Sequence, residues 1–118
     1  MTQAYVHIGF FLGWAIERGF AGTLLTEDFS DELEQFRARK ISAPRLLQIT
    51  DGVLDDQMLS EEGNRFADSC YADDYLAIYE AAFPRLESLY RVDDTWENFG
   101  KVKSRLDRRY DGWKATGK

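Results

Sequence analysis

The segment that most constrains the fold is residues 4–16, AYVHIGFFLGWAI, in which His7 is the one plainly polar side chain. A helix on a domain surface has an apolar stripe and a polar face, whereas a helix that is apolar all round is buried. A bilayer span needs about 20 apolar residues, so this segment is too short to cross a membrane. We therefore predict a central buried helix, with His7 as a hydrogen-bonded core residue.

Two glycines in this helix, Gly9 and Gly13, are four residues apart and therefore share one face. Their missing side chains would let a neighbouring helix approach closely. The G-x-x-x-G pattern marks a membrane dimer only within a longer apolar segment. Here the pattern predicts tight helix packing in a soluble core, and the helix should stop at Gly19 or Gly22.

The next part of the chain carries further helix signals. A second helix is expected to begin at a cap formed by Thr26 or Ser30, because acidic residues follow these positions and basic residues come later. A third helix is expected to begin at Ser42, and a fourth at Asp55 or Ser60.

The second half of the chain shows the same helical pattern. Asp73 or Asp74 could cap a helix that ends before Pro84. Asp94 and Glu97 resemble a capping box at the start of a last helix, which has an apolar stripe on one side. Strand signals are weak, and residues 88–92 are the one candidate. We predict a mainly α fold in which residues 1–118 form one domain of five or six helices around the buried first helix.

The composition excludes several kinds of site. One cysteine and one histidine leave no set of ligands for a multi-cysteine or histidine-rich metal site, and nucleotide-binding and metalloprotease motifs are absent. We therefore expect no metal and no cofactor, and we favour a non-enzymatic protein. The alternative is a small enzyme in which carboxylates from different helices meet in a pocket. A homo-oligomeric scaffold module is a third possibility.

Charge is distributed unevenly along the chain, which carries a net −6. Residues 51–100 contain thirteen acidic residues against three arginines, a balance of −10, whereas residues 101–118 have a balance of +5. Such charges can simply solvate helix surfaces. They can also steer a partner of opposite charge.

Tyrosines lie among these acidic residues, and aromatic side chains are enriched at protein interfaces. We therefore predict an acidic helical face that occludes a basic protein partner, with tyrosines as anchors. The candidate partner-binding residues are Asp55, Asp56, Glu61, Glu62, Asp68, Tyr71, Asp73, Asp74, Tyr75 and Glu80.

Other partners fit the sequence less well. An acidic domain with one basic helix is a poor binder of duplex nucleic acid, and no apolar segment is long enough for a membrane. The N-terminus lacks the basic region of a signal peptide, and the lone thiol of Cys70 fits a reducing compartment. We therefore expect a cytoplasmic protein that binds neither nucleic acid nor membrane.

Three sequence blocks resemble a family of short bacterial proteins of unassigned function. They are HIGFFLGW, EEGNRFADSCYADDYLAIYE, and SLYRVDDTWENF followed by LDRRYDGW, and the resemblance covers about residues 5–113. The resemblance implies no catalytic residues. Small acidic domains of this type resemble immunity proteins, so the partner that the resemblance implies is a cognate toxin.

Overall fold

The computed structural model describes residues 3–50, 56–70, 75–83 and 94–116. These ranges contain a π-helical turn, Leu24–Asp28, and a 3₁₀ turn, Asp56–Met58. They also contain the six helices α1 (Gln3–Glu17), α2 (Ser30–Arg37), α3 (Ala43–Ile49), α4 (Glu61–Cys70), α5 (Tyr75–Ala82) and α6 (Trp96–Thr116). Within the described residues the one β-type pairing is an isolated bridge, so the predicted mainly α fold is confirmed.

Helix α1 is the centre of the core, as its apolar sequence predicts. Phe10, Phe11, Leu12 and Trp14 are fully buried and point to different sides of the helix. Its most extensive contacts are with α3, and α6 packs against it as well. The radius of gyration, 13.4 Å, is that of a compact domain of this length. The side chain of His7 lies outside the described part of the chain.

The predicted close approach at Gly9 and Gly13 is confirmed. A Cβ atom on Gly9 would lie 2.7 Å from the backbone nitrogen of Pro44, and one on Gly13 would lie 2.6 Å from the Cβ of Ala43. Both neighbours belong to the first turn of α3. The two glycines therefore let α3 pack directly on the backbone of α1.

Helix ends follow the sequence in some places and depart from it in others. Gly19 follows α1 with a φ of 83°, as predicted for a glycine at a helix end. The hydroxyl oxygen of Ser42 accepts a hydrogen bond from the Arg45 backbone N–H at 3.2 Å and caps α3, as predicted. The prediction for α2 is wrong, because neither Thr26 nor Ser30 caps it. Its N-cap position is Phe29, whose side chain has no oxygen that could accept a hydrogen bond from the helix.

The prediction that Asp94 is the first residue of a capping box in α6 is also wrong. The Thr95 hydroxyl oxygen accepts a hydrogen bond from the Asn98 backbone N–H at 3.1 Å and thus caps the helix. Asp94 instead accepts a hydrogen bond from the Ser42 hydroxyl at 2.5 Å, which ties the start of α3 to the start of α6. The predicted apolar stripe is confirmed, with Phe99, Val102, Leu106 and Tyr110 buried.

Two backbone hydrogen bonds set the position of α4. The N–H of Gly22 donates to the carbonyl of Met58 at 2.7 Å, and the N–H of Ser60 donates to the carbonyl of Phe20 at 2.7 Å. The segment before the π-helical turn is thereby held against the segment before α4. Pro84 and residues 88–92, on which two predictions fall, lie outside the described residues.

Candidate acidic interaction surface

Helix α4 contains three of the predicted partner-binding residues, Glu61, Glu62 and Asp68. The hydroxyl oxygen of Ser60 accepts a hydrogen bond from the Gly63 backbone N–H at 3.2 Å, so Ser60, and not Asp55, caps this helix. Glu61 and Glu62 occupy its first turn, where a carboxylate is favoured by the helix dipole. Gly63 and Phe66 face the core, which leaves Glu61, Arg65 and Asp68 exposed on the opposite side.

The exposed carboxylates of this region differ in whether a cation neutralises them. Glu61 pairs with Arg65, four residues later on the same helix, at 2.5 Å. Asp68 on α4 and Glu80 on α5 are exposed, and no ion pair joins either of them to a cation within the described ranges. Among the predicted residues whose side chains are described, Asp68 and Glu80 are therefore those whose charge is available to a partner.

Glu62 is used inside the molecule. Its carboxylate accepts a hydrogen bond from the Tyr110 hydroxyl, and its Oε2 atom lies 3.5 Å from the Lys114 ammonium. The hydrogen bond from Tyr110, followed by the charge of Lys114, lowers the pKa of Glu62 from its ordinary value. Burial, and then the hydrogen bond to Glu62, raise the pKa of Tyr110, so its hydroxyl stays protonated and donates at neutral pH. These contacts hold α4 against α6.

Tyr75 belongs to the core and not to the exposed surface, because it is fully buried. Its ring packs edge-on against Phe11 of α1, with 5.1 Å between the ring centroids. Tyr79, one turn later, is also fully buried, and burial raises its pKa. The helical spacing that placed these tyrosines among acidic residues in sequence turns them towards α1. Tyr75 is therefore corrected from an exposed anchor to a core residue.

The remaining predicted residues are not described in full. Asp56 is the first residue of the 3₁₀ turn before α4, but the position of its side chain is outside the described part of the structure. The other predicted residues that lie outside the described ranges are Asp55, Tyr71, Asp73 and Asp74.

The structure adds two acidic residues that sequence reasoning assigned to helix construction. Glu27 and Asp28 end the π-helical turn, and both are exposed without an ion pair inside the described ranges. This turn packs against the 3₁₀ turn that precedes α4. We call the exposed carboxylates of Glu27, Asp28, Asp68 and Glu80 the acidic surface. The sequence alone could not place this turn against the segment before α4, because that contact depends on a long-range bridge between Ala21 and Leu59.

A polar network joins α1 and the residue after it to α6. The indole N–H of Trp14 donates to Asp107 Oδ1 at 2.8 Å, and a guanidinium nitrogen of Arg18 lies 3.3 Å from the same oxygen. The Arg18 guanidinium also lies over the Tyr110 ring, 4.7 Å from its centroid. Every charged group in this network has an internal partner, which is typical of a structural network.

No group of three or more His, Cys, Asp or Glu side chains in the described ranges could hold a metal ion. A groove of about 260 Å³ between α5 and α6 is lined by Ala77, Ile78, Ala81, Arg105 and Arg108, and thus by no carboxylate. No helix within the described residues has the length and apolar character needed to cross a membrane.

Comparison with known proteins gives one match. A family model described as "Domain of unknown function (DUF7832)" matches residues 1–92. No curated protein and no solved structure matches the chain.

The matched region contains helices α1 to α5, together with two of the three sequence blocks that indicated a family of unassigned function. The DTWENF block and α6 follow it. The chain therefore belongs to the DUF7832 family.

Proposed function

We propose that this protein is a binding protein that inhibits a basic protein partner by covering it with the acidic surface. The observation that carries the proposal is the set of exposed carboxylates on α4, α5 and the π-helical turn that no described cation neutralises. Some other carboxylates are neutralised within the chain: Glu17 and Asp107 pair with a lysine or arginine, at 2.7 and 3.3 Å. Exposed carboxylates without an internal cation attract a partner of opposite charge.

The protein as a whole fits this role. A net charge of −6 favours association with a basic molecule and disfavours association with nucleic acid. Tyr75 and Tyr79 are used in the core, so the described surface would hold the partner mainly by charge, with a strong dependence on salt. In the more specific form of the proposal, the chain is an immunity protein and its partner is a cognate bacterial toxin.

Charge reversal on the acidic surface tests this proposal. The intact chain is used to capture its partner from the native host, and the affinity of the purified pair is then measured by calorimetry at several salt concentrations. The double substitution Asp68→Lys and Glu80→Lys should weaken binding by at least about tenfold and flatten its salt dependence. Circular dichroism establishes that each variant is folded.

A matched control is available on α6. Glu97 is exposed in the first turn of this helix, about 20 Å along the axis from Tyr110, which contacts α4. This control is a single substitution, so Glu97→Lys is compared with Asp68→Lys alone. Glu97→Lys should leave the affinity within about twofold. Equal affinity for the wild-type chain and the double variant, or binding that ignores salt, would refute the proposal.

A further inference from the structure

The groove between α5 and α6 has a chemical character opposite to that of the acidic surface. It is lined by the small or apolar side chains of Ala77, Ile78 and Ala81 on α5 and by Arg105 and Arg108 of α6. Both alanines and both arginines are exposed. The groove is open to solvent and, at about 260 Å³, smaller than the pockets that enclose small-molecule ligands.

The two arginines differ from their neighbours on α6 in their contacts. Lys103 pairs with Glu17 at 2.7 Å, Lys114 lies 3.5 Å from Glu62, and the guanidinium of Arg109 lies 5.9 Å from the centroid of the Phe66 ring. Within the described residues, no carboxylate pairs with Arg105 or Arg108. The chain has 21 acidic and 15 basic residues, so these two arginines lack a described carboxylate partner although carboxylates are in excess.

The spacing of the groove residues matches that of a helix. Arg105 and Arg108 are three residues apart, and Ala77 and Ala81 are four apart, so each wall presents two groups about one helical turn apart. A ligand that contacts both walls needs carboxylates one turn apart and apolar side chains beside them. An amphipathic helix with acidic residues has this arrangement, and helices of this kind commonly bind in apolar grooves.

We infer that the groove between α5 and α6 binds an acidic amphipathic helix of a partner protein, with Arg105 and Arg108 contacting its carboxylates. The two alanines allow the helix to approach α5 closely. This binding site differs from the acidic surface in charge and in composition. The inference therefore concerns a second class of partner and does not depend on the proposed function.

Selection from a library of helical peptides displayed on phage, with the intact chain as target, tests the inference. Selected peptides should carry pairs of Asp or Glu three or four residues apart next to apolar residues. Synthetic versions should bind more weakly as salt rises, and Arg105→Glu with Arg108→Glu should reduce their affinity at least about tenfold. Nuclear magnetic resonance of the labelled chain should show shifts at Ala77, Ala81, Arg105 and Arg108.

Two further variants separate the groove from a general effect of charge. Arg45→Glu, on the exposed side of α3, should change the affinity by less than a substitution of one groove arginine to glutamate. Ala81→Phe fills the groove without changing the charge and should also reduce binding. Selection of basic peptides, peptide binding that survives the arginine substitutions, or self-association of the chain through this groove in light scattering would overturn the inference.

Discussion

At the scale of single residues, the charged groups around α6 separate into those with internal partners and those without. Asp107 accepts the indole N–H of Trp14, which is fully buried, and also contacts Arg18. Glu62 is held by Tyr110 and Lys114. A buried donor that loses its acceptor costs far more than a surface ion pair contributes. Substitution of the charged groups with internal partners should therefore affect stability, and substitution of the exposed carboxylates should affect binding.

Substitution of Asp107 tests the structural role of the Trp14 hydrogen bond. Asp107→Ala should lower the free energy of unfolding by about 1–3 kcal/mol, because the indole N–H is left without its acceptor. Asp107→Asn keeps an acceptor oxygen and should cost less. Asp111→Ala is the control, since this side chain is 73% exposed and lies 3.9 Å from Arg18, and it should change stability by less than about 0.5 kcal/mol. Urea unfolding measures all three, and equal losses for Asp107 and Asp111 would contradict the assignment.

The hydrogen bond between Tyr110 and Glu62 should make stability depend on pH. The pKa of Glu62 is lower in the folded chain than its ordinary value of 4.5, so this contribution is fully present above about pH 4.5. It is lost as the pH falls through the lowered pKa of the folded state. Tyr110→Phe should therefore destabilise the chain at pH 7, and its difference from wild type should narrow at pH 3.

Urea unfolding at several pH values measures this effect, and a double-mutant cycle provides the control. In a Glu62→Gln background the titrating carboxyl is absent, so Tyr110→Phe should no longer change the pH dependence. A difference between Tyr110→Phe and wild type that stays constant from pH 3 to pH 7 would show that the hydrogen bond is not coupled to ionisation of Glu62.

At the scale of elements, the packing of α1 on α3 was predictable because it depends on local sequence. Gly9 and Gly13 lie on one face of any helix that contains them, and the absence of their side chains allows a neighbouring helix to approach closely. The start of α6 was less predictable. Asp94 and Thr95 are adjacent, and both residue types can cap a helix. Ser42, which is distant in sequence, donates a hydrogen bond to Asp94, and Thr95 caps the helix.

Adding one methyl group at Gly9 tests the contact between α1 and α3. In Gly9→Ala the new Cβ would overlap the backbone of Pro44, which cannot move as a side chain does, so stability should fall by about 1–3 kcal/mol. Gly100→Ala, in α6, is the control. It has open space around the new methyl group and should stabilise the chain by about 0.5–1 kcal/mol. Thermal or urea unfolding gives both values, and a neutral Gly9→Ala would contradict the packing.

At the scale of the whole molecule, the fold could be predicted further than the candidate site. Helical periodicity identifies α1 as buried, and charge identifies the acidic half of the chain. Periodicity alone could not decide whether Tyr75 faced the core or solvent, because that depends on where α1 lies. It also could not place Glu27 and Asp28 beside the segment before α4, since that requires the contact between Ala21 and Leu59.

We propose that the acidic surface inhibits a basic partner by covering it. The most direct measurement is the activity of the captured partner, titrated with the intact chain at low and high salt. Activity should fall to its minimum near one equivalent of chain and return as salt weakens the complex. A partner that stays fully active when saturated with the chain would contradict this proposal.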